Sequence, residues 1–206
     1  VLEGIDGCGK TSQINFLFKW LPTSGLLTNT SKLIVTREPG GTSLGASLRE
    51  LLLHPPNEIS PEPLAELLLY AADRAQHVSQ VIQPALDQGH WVISDRFSGS
   101  TLAYQGYGRN LNLDLIRQLE SIATVGLTPD VTLWLDLPVI ISLSRRGKIA
   151  NDRIEAEGEE FLSKVSKGFS LISKEENWVR INAHNTLANV SHDIKNQLMM
   201  CFRQKG

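Results

Sequence analysis

The sequence predicts one α/β domain in which a parallel sheet of five strands is covered by helices on both faces. Short apolar runs alternate along the chain with longer runs whose apolar residues recur at helical spacing. The short runs are apolar at successive positions, which is typical of parallel strands buried on both faces. Each of them ends in a polar or charged cluster. Because α/β proteins bind ligands at the carboxyl ends of such strands, we expect these clusters to share one cleft.

The five predicted strands are short and are separated by predicted helices and loops. They span residues 1–2, 32–36, 91–94, 131–135 and 178–182. The helical pattern covers residues 10–21, 44–54, 61–83, 113–124 and 139–146, followed by a helix that contains Phe161, Val165, Phe169 and Ile172 and by a last helix from Thr186 through Leu198. Pro84 is expected to kink the long third helix near its end. Between Phe97 and Leu113 the chain is rich in glycine and tyrosine, and no helix is predicted there.

Composition narrows the class of protein. The 206 residues suit a single domain, residues 1–206, and the net charge of −2 gives no reason to expect a nucleic-acid or membrane surface. No apolar run approaches the ~20 residues of a membrane span. Two cysteines form no disulfide framework, which fits a reducing compartment such as the cytoplasm. The chain starts at Val1 inside the first predicted strand, so we expect further residues upstream.

A glycine-rich loop follows the first strand and opens the first helix. The loop fits the pattern G-x-x-x-x-G-K-[ST] and consists of Gly4, Ile5, Asp6, Gly7, Cys8, Gly9, Lys10 and Thr11. Glycines let successive N–H groups turn toward an anion, and the start of the helix adds positive potential. Lys10 is expected to reach the β- and γ-phosphates of a nucleoside triphosphate, and the Thr11 hydroxyl to bind Mg²⁺. The loop alone names no reaction, and the alternative is a turn that happens to precede a helix.

Asp95 and Arg96 follow directly on the third predicted strand. In a protein with this loop, a strand-end aspartate can hold Mg²⁺ opposite Thr11, and the adjacent arginine can bridge two phosphate groups. The alternative is a surface ion pair at a strand end. Phosphoryl transfer needs alignment and neutralised charge more than covalent help, so a lysine, a metal ion and a few arginines suffice for it.

Three further motifs make the reading specific. They are TREPGGT at 36–42, DRF at 95–97 and AYQG at 103–106. Together with the glycine-rich loop they resemble thymidylate kinase, and the likeness covers essentially the whole chain. The resemblance implies a three-layer nucleoside monophosphate kinase fold with a phosphate-binding loop, and transfer of the γ-phosphoryl group of ATP to dTMP to give dTDP for dTTP synthesis. It also implies Mg²⁺ as cofactor and a homodimer.

The resemblance further implies how the acceptor is held. Tyr70 matches a position whose ring stacks on thymine, and Arg74, four residues later on the same helix face, matches an arginine that hydrogen-bonds the base. Ser100 and Gln105 match residues that meet the polar edge of the base. Tyr104 matches a residue packed against the sugar, where a ribose 2′-hydroxyl would clash; such exclusion favours a deoxynucleotide.

Other matched positions surround the acceptor phosphate. Arg96 would clamp that phosphate, and Asp6 would lie near the sugar and phosphate. The resemblance places a cis proline at Glu38–Pro39 against the nucleotide. It puts phosphate-side arginines at Arg37 and Arg49, although Arg49 considered alone is equally well read as a solvent-facing helix charge.

The charged stretch at 145–157 is expected to form a mobile lid, since it combines glycine and charges with few apolar anchors. Some members of the family carry a catalytic arginine in the phosphate-binding loop, whereas those of the bacterial pattern supply it from the lid. Gly7 occupies that loop position, so the resemblance implies a lid-borne arginine. Arg153 is the first candidate, followed by Arg146 and Lys148. Without the loop motif, this stretch would be read as a solvated loop.

Two rival functions stay open from the sequence. A kinase for another monophosphate or a small alcohol could use the same fold, although the acceptor-site residues count against it. A nucleotide-binding switch that hydrolyses ATP slowly or not at all would explain the loop, but it would have no use for an acceptor pocket and a basic lid.

Overall fold

The computed structural model describes residues 1–56, 60–146 and 152–203, apart from the side chains of Arg146 and Arg203. Five parallel strands form one sheet in the order β2-β3-β1-β4-β5. The strands are β1 (Leu2–Glu3), β2 (Leu33–Arg37), β3 (Trp91–Asp95), β4 (Leu133–Asp136) and β5 (Val179–Asn182). The predicted α/β class and the five-stranded parallel sheet are therefore confirmed.

Helices connect the strands and cover the sheet. The α-helices are α1 (Lys10–Trp20), α2 (Ser43–Leu53), α3 (Pro63–His77), α4 (Gln83–Asp87), α5 (Ser98–Thr101), α6 (Leu113–Thr124), α7 (Val139–Arg146), α8 (Gly158–Glu175) and α9 (Leu187–Arg203). Short 3₁₀ turns cover Leu21–Thr23 and Glu155–Glu157, and π-helical turns cover Val78–Ile82 and Leu102–Gly108. None of the helices in the described ranges has the length and apolarity that a membrane crossing requires.

The register of the sheet brings the strand ends together. Arg37 at the end of β2 lies opposite Asp95 at the end of β3, and Leu2 of β1 also pairs with Asp95. The loop after β1 therefore begins beside the end of β3 and the residues that follow it. This is the shared edge that the polar strand ends predict.

The core lies between the sheet and its helices. Leu135 of β4 is fully buried, and α8 contributes the buried residues Val165, Phe169 and Ile172 at helical spacing. Burial of one stripe of α8 confirms the helix that was predicted from Phe161 to Ile172. The predictions for α6 and α7 match the structure residue for residue.

The long helix predicted at 61–83 is wrong in its bounds. α3 begins at Pro63, where a missing N–H costs nothing because the first turn has no internal acceptor for it. The α-helix ends at His77 and a π-helical turn leads into α4, with Pro84 near the start of α4. Proline cannot donate to the carbonyl one turn earlier, so the hydrogen-bond ladder changes register ahead of it.

Most of the segment between Phe97 and Leu113 is helical, contrary to the prediction: α5 and the π-helical turn Leu102–Gly108 follow one another without a break. Its glycines lower helix propensity, yet the structure uses them for close packing. A Cβ atom at Gly99 would lie 2.2 Å from the Trp178 ring, and one at Gly108 would lie 2.6 Å from the Phe161 ring. Tertiary contact therefore overrides the local preference at these positions.

Candidate active site

The phosphate-binding loop has the backbone that its glycines predict. Gly4, Gly7 and Gly9 all have positive φ, and a Cβ atom at Gly4 would lie only 2.7 Å from the Leu135 carbonyl oxygen. α1 starts at Lys10 without a side-chain cap, so no side chain takes up the first N–H groups of the helix. Lys10 is buried and donates from Nζ to the carbonyl oxygens of Gly4 at 3.2 Å and Ile5 at 3.4 Å. The loop thus presents to an anion the free N–H groups of an uncapped helix start and a lysine held in place by backbone carbonyls.

Arg96 joins this loop to the residues that follow β3. Its Nη1 donates to the Gly4 carbonyl at 3.0 Å and to the Ser100 hydroxyl at 2.9 Å, and its Nη2 donates to Asp6 at 2.7 Å. Its backbone has φ +72°, a strained conformation for a residue other than glycine. Two hydrogen bonds hold that conformation. The Arg96 N–H donates to the Leu2 carbonyl, and the Ser94 hydroxyl donates to the Arg96 carbonyl. The side chain is therefore aimed by its backbone as well as by its partners.

Asp6 and Tyr104 complete the contact. The Tyr104 hydroxyl donates to the second Asp6 oxygen at 3.1 Å, and the Tyr104 ring lies under the Arg96 guanidinium at 5.0 Å. Burial alone would raise the pKa of Asp6, but the charges of Arg96 and Lys10 hold it well below its ordinary value of 3.8. Asp6 is consequently a carboxylate at neutral pH, set between the loop lysine and Arg96.

Ser100 is held from the other side by Glu3, a residue that is not among the site residues predicted from the sequence. Glu3 is buried at the end of β1 and accepts hydrogen bonds from the N–H and the hydroxyl of Ser100 and from the N–H of Phe97. Burial raises the pKa of Glu3. The Ser100 hydroxyl thus already donates to Glu3 and accepts from Arg96. Its predicted contact with the base stays a prediction.

Thr11 and Asp95 fit a magnesium site. One carboxylate oxygen of Asp95 is buried and has no hydrogen-bond partner among the described residues. An orphaned buried carboxylate oxygen costs free energy unless a cation or water completes it. Thr11 lies exposed in the first turn of α1, where its hydroxyl is open to a ligand. Hydroxyl and carboxylate oxygens are the protein ligands that Mg²⁺ uses beside phosphate oxygens.

A single cleft collects the predicted acceptor residues. Every one of them except Arg37 lines it, together with four residues not predicted to meet the acceptor, two of which belong to the predicted lid. The lining residues are Asp6, Glu38, Pro39, Arg49, Leu53, Tyr70, Arg74, Arg96, Ser100, Thr101, Tyr104, Gln105, Asp152 and Ile154. Arg37 is exposed at the end of β2. The Glu38–Pro39 bond is cis, as the resemblance implies.

Arg74 is the most buried charge of the cleft. Its Nε donates to Glu38 at 2.7 Å, and its Nη1 donates to Thr101 at 2.7 Å and to Glu120 at 2.5 Å. Burial by itself would lower the pKa of Arg74, but the carboxylates of Glu120 and Glu38 raise it, so the side chain is fixed as a cation. The predicted contact with the base would have to come from a guanidinium that is already anchored.

The other oxygen of Glu38 lies 2.8 Å from Nδ1 of His77, and Nε2 of His77 lies 2.6 Å from the Thr36 hydroxyl. His77 is fully buried and was not selected from the sequence. Arg49 donates to the Pro39 carbonyl at 3.0 Å, so its guanidinium lies at the cleft rather than in solvent alone. Glu38 and Pro39 are therefore held by side chains of two helices, α3 and α2.

Of the predicted lid, residues 147–151, including Lys148, lie outside the described residues, as does the side chain of Arg146. Arg153 contacts the carbonyl of Leu52 through Nε and pairs with Glu66. The structure does not bring its guanidinium to Lys10 or Arg96. Arg145 instead reaches the phosphate-binding loop and donates to the Gly7 carbonyl at 3.3 Å.

Comparisons with known proteins agree with this geometry. The thymidylate kinase family model matches residues 2–194. A thymidylate kinase of Prochlorococcus marinus (strain MIT 9313) is 64% identical over 202 residues, covering 98% of this chain and 94% of the relative. One from Synechococcus sp. (strain CC9311) is 62% identical, covering 97% and 94%. The crystal structure of thymidylate kinase from Ehrlichia chaffeensis superposes with a TM-score of 0.75 at 33% identity, over 96% of both chains. The chain belongs to the thymidylate kinase family.

Proposed function

We propose that this site transfers the γ-phosphoryl group of ATP to dTMP, giving dTDP for dTTP synthesis. The observation that carries the proposal is Arg96. Its guanidinium contacts Gly4 and Asp6 of the donor loop and, at the same time, Ser100 and Tyr104 of the acceptor cleft. A group held between the two half-sites can neutralise charge on both phosphates while they react.

On the donor side, Lys10 and the uncapped amides of α1 hold the ATP phosphates. Thr11 and Asp95 would hold Mg²⁺, which when bound would neutralise the charge of the β- and γ-phosphates. On the acceptor side, Arg96 takes the phosphate, with Arg37 and Arg49 nearby. Tyr70, Arg74 and Gln105 take the base. No general base is needed beyond the acceptor phosphate itself.

The remaining positive charge comes from the lid, at Arg153 or Arg146 or at their lid neighbour Arg145. Arg153 would have to leave Glu66 to do so, whereas Arg145 already lies at Gly7, the loop position that lacks a side chain. Single alanine substitutions of the three arginines identify the cation. The responsible one lowers the single-turnover rate at saturating ATP and dTMP, and the others leave it within a few-fold of the wild type.

ATP consumption that depends on dTMP tests the function directly. We expect ADP to form only when dTMP is present, because bound dTMP fills the acceptor half of the site and excludes water from the reacting phosphate. A nucleotide-binding switch would form ADP at the same slow rate without dTMP. A kinase for another acceptor would respond to a different compound in a panel of nucleoside monophosphates and small alcohols.

Tyr104 is expected to exclude ribonucleotides by its bulk. Its ring is fixed against Phe161 and Phe169, with centroids 6.2 and 6.1 Å away, so it cannot move aside easily. Tyr104→Ala should raise the ratio of kcat/KM for the ribonucleoside monophosphate of thymine to kcat/KM for dTMP by about 10-fold. Tyr104→Phe, which keeps the ring and loses the hydroxyl, should leave that ratio unchanged. An unchanged ratio in the alanine variant would remove the steric explanation.

We also propose a homodimer formed through one apolar face. Helix α3 packs against both α2 and α6. The three helices expose large aliphatic side chains, namely Leu44, Leu51, Leu64, Leu68, Leu115 and Ile122. Exposed apolar patches of this kind are typical of interfaces. Leu68→Glu should convert a two-chain mass in sedimentation equilibrium to a one-chain mass; a wild type that sediments as one chain would refute the dimer.

The cytoplasm is the proposed location of the reaction. Cys8 and Cys201 are both unpaired, and Cys8 is buried inside the phosphate-binding loop, where oxidation would disturb it. Free thiols of this kind persist in reducing compartments. Cell fractionation followed by the dTMP-dependent assay would check this location.

A further inference from the structure

Glu66 is a fully buried carboxylate that four hydrogen bonds surround. It lies on α3, four residues before Tyr70, and therefore on the same helix face. Its Oε1 accepts from Gln105 Nε2 at 2.8 Å and from Arg109 Nε at 3.2 Å. Its Oε2 accepts from Arg109 Nη2 at 3.2 Å and from Arg153 Nη2. One carboxylate thus joins a cleft residue, Gln105, to a lid residue, Arg153.

Arg153 is tied to the acceptor side of the molecule at two more points. Its backbone N–H donates to the Leu53 carbonyl at 3.1 Å, and its Nε donates to the Leu52 carbonyl at 2.9 Å. These carbonyls end α2, where the helix has unsatisfied acceptors and negative potential that suit a cation. Arg153 itself does not line the cleft, whereas its neighbours Asp152 and Ile154 do. The docked position of Arg153 therefore determines where Asp152 and Ile154 lie in the lining of the cleft.

Arg109 adds a second tie between Glu66 and the end of the lid. Its Nη1 pairs with Glu157 at 2.5 Å, and its guanidinium lies over the Phe161 ring at 4.8 Å. Burial by itself would raise the pKa of Glu66, but the hydrogen bonds from Gln105 and Arg109 and the charges of Arg109 and Arg153 lower it. Glu66 is therefore an acceptor only, so each of its partners must donate to it.

We propose that Glu66 is a positioning residue that couples base binding at Gln105 to docking of the lid segment 152–157. The inference rests on the proposed function, in which Gln105 meets the thymine base. A carboxylate shared by both sides cannot shift toward one without changing its bonds to the other. Coupling is reciprocal, so a lid-side change must alter acceptor affinity, and the acceptor must stabilise the docked lid.

The alternative is that Glu66 merely balances the charge of two partly buried arginines, Arg109 and Arg153. In that case removing Arg153 would lower the free energy of unfolding without changing dTMP affinity, because Arg153 does not line the cleft. Equilibrium binding of dTMP, measured calorimetrically without ATP, separates the two cases. Turnover of the wild type with dTMP is measured in parallel, so that a failure of the proposed function shows as an inactive wild type.

The test is a double-mutant cycle between Gln105→Met and Arg153→Met, read as the dTMP Kd. We expect Arg153→Met to weaken dTMP binding by about 5- to 20-fold, within the usual range for coupled sites. The double variant should be weaker by clearly less than the product of the single effects. Repeating the cycle in Glu66→Gln should restore multiplicative effects. The control is Arg117→Met, which removes the exposed ion pair between Arg117 on α6 and Glu175 on α8 and should leave the Kd unchanged.

Hydrogen exchange supplies the reciprocal readout. Saturating dTMP should slow exchange in residues 152–161 of the wild type, where the Arg153 and Ala156 amides are hydrogen-bonded to Leu53 and Asp152. In Arg153→Met, dTMP should not slow exchange in these residues. This comparison tests the proposal even if Glu66→Gln does not fold. An active wild type with an unchanged dTMP Kd in Arg153→Met, or with no dTMP-dependent protection of 152–161, would overturn the proposal.

Discussion

Replacing Arg96 by alanine is expected to lower kcat for dTMP phosphorylation by about 10³-fold, the usual effect of removing a preorganised cation from a phosphoryl-transfer site. The reason is geometric as well as electrostatic. Arg96 is the residue whose guanidinium contacts both the donor loop and the acceptor cleft, and its strained backbone aims it there. ATP affinity should change little, because Lys10 and the amides of α1 are the groups proposed to hold the donor phosphates.

The measurement is a pair of titrations with the Arg96 variants. ATP Kd is measured calorimetrically and kcat by ADP formation at saturating dTMP. Arg96→Lys serves as the matched variant, since it keeps one positive charge and loses the planar fork that contacts Ser100 and Asp6 together. It should recover only a small part of the lost rate. Near-normal turnover in Arg96→Ala would show that the arginine is no phosphate clamp.

Replacing Asp95 by asparagine is expected to separate catalysis from stability. The orphaned Asp95 oxygen is buried and unpaired among the described residues, so removing its charge should leave the melting temperature unchanged or slightly higher. Loss of the proposed carboxylate ligand of Mg²⁺ should nevertheless lower kcat/KM by about 10²-fold at millimolar Mg²⁺, in the range found for weakened charge stabilisation in active sites. Raising the Mg²⁺ concentration should recover part of that loss.

Mg²⁺ titrations of activity, combined with thermal melts without nucleotide, check the Asp95 prediction. Asp87→Asn is the control, because Asp87 is exposed at the end of α4, before β3 begins, and accepts only from Gln83 among the described contacts. It should match the wild type in both measurements. An Asp95→Asn variant that is clearly less stable but has an unchanged Mg²⁺ requirement would mean that Asp95 is structural.

The features that sequence predicted well are those coded over short distances. The glycine-rich loop is eight consecutive residues, and α6 and α7 are marked by apolar residues at helical spacing with turn or proline signals before them. Asp95 and Arg96 were selected because they follow an apolar strand directly. In each case the residue types and their local order determine the conformation, so no distant contact had to be known.

What sequence could not predict is the pairing of charges across the fold. Glu66 meets Arg109 and Arg153, which lie 43 and 87 residues away, and His77 meets Glu38 across 39 residues. Charged residues on a helix are usually solvated, so Glu66 and His77 would be expected in solvent. One pattern in the sequence points the other way for Glu66. Glu66 and Arg74 share a helix face with the predicted base-stacking residue, Tyr70, and this places their charges toward the cleft.

Transfer of the γ-phosphoryl group of ATP to dTMP can be followed with radiolabel. ATP labelled at the γ-phosphate is supplied with dTMP, dUMP, the ribonucleoside monophosphate of thymine or no acceptor. Label is expected to appear in dTDP, at a rate well above that for the other acceptors, with little free phosphate. Release of the label mainly as inorganic phosphate, or loss of label from ATP that is equally fast without dTMP, would contradict transfer to dTMP.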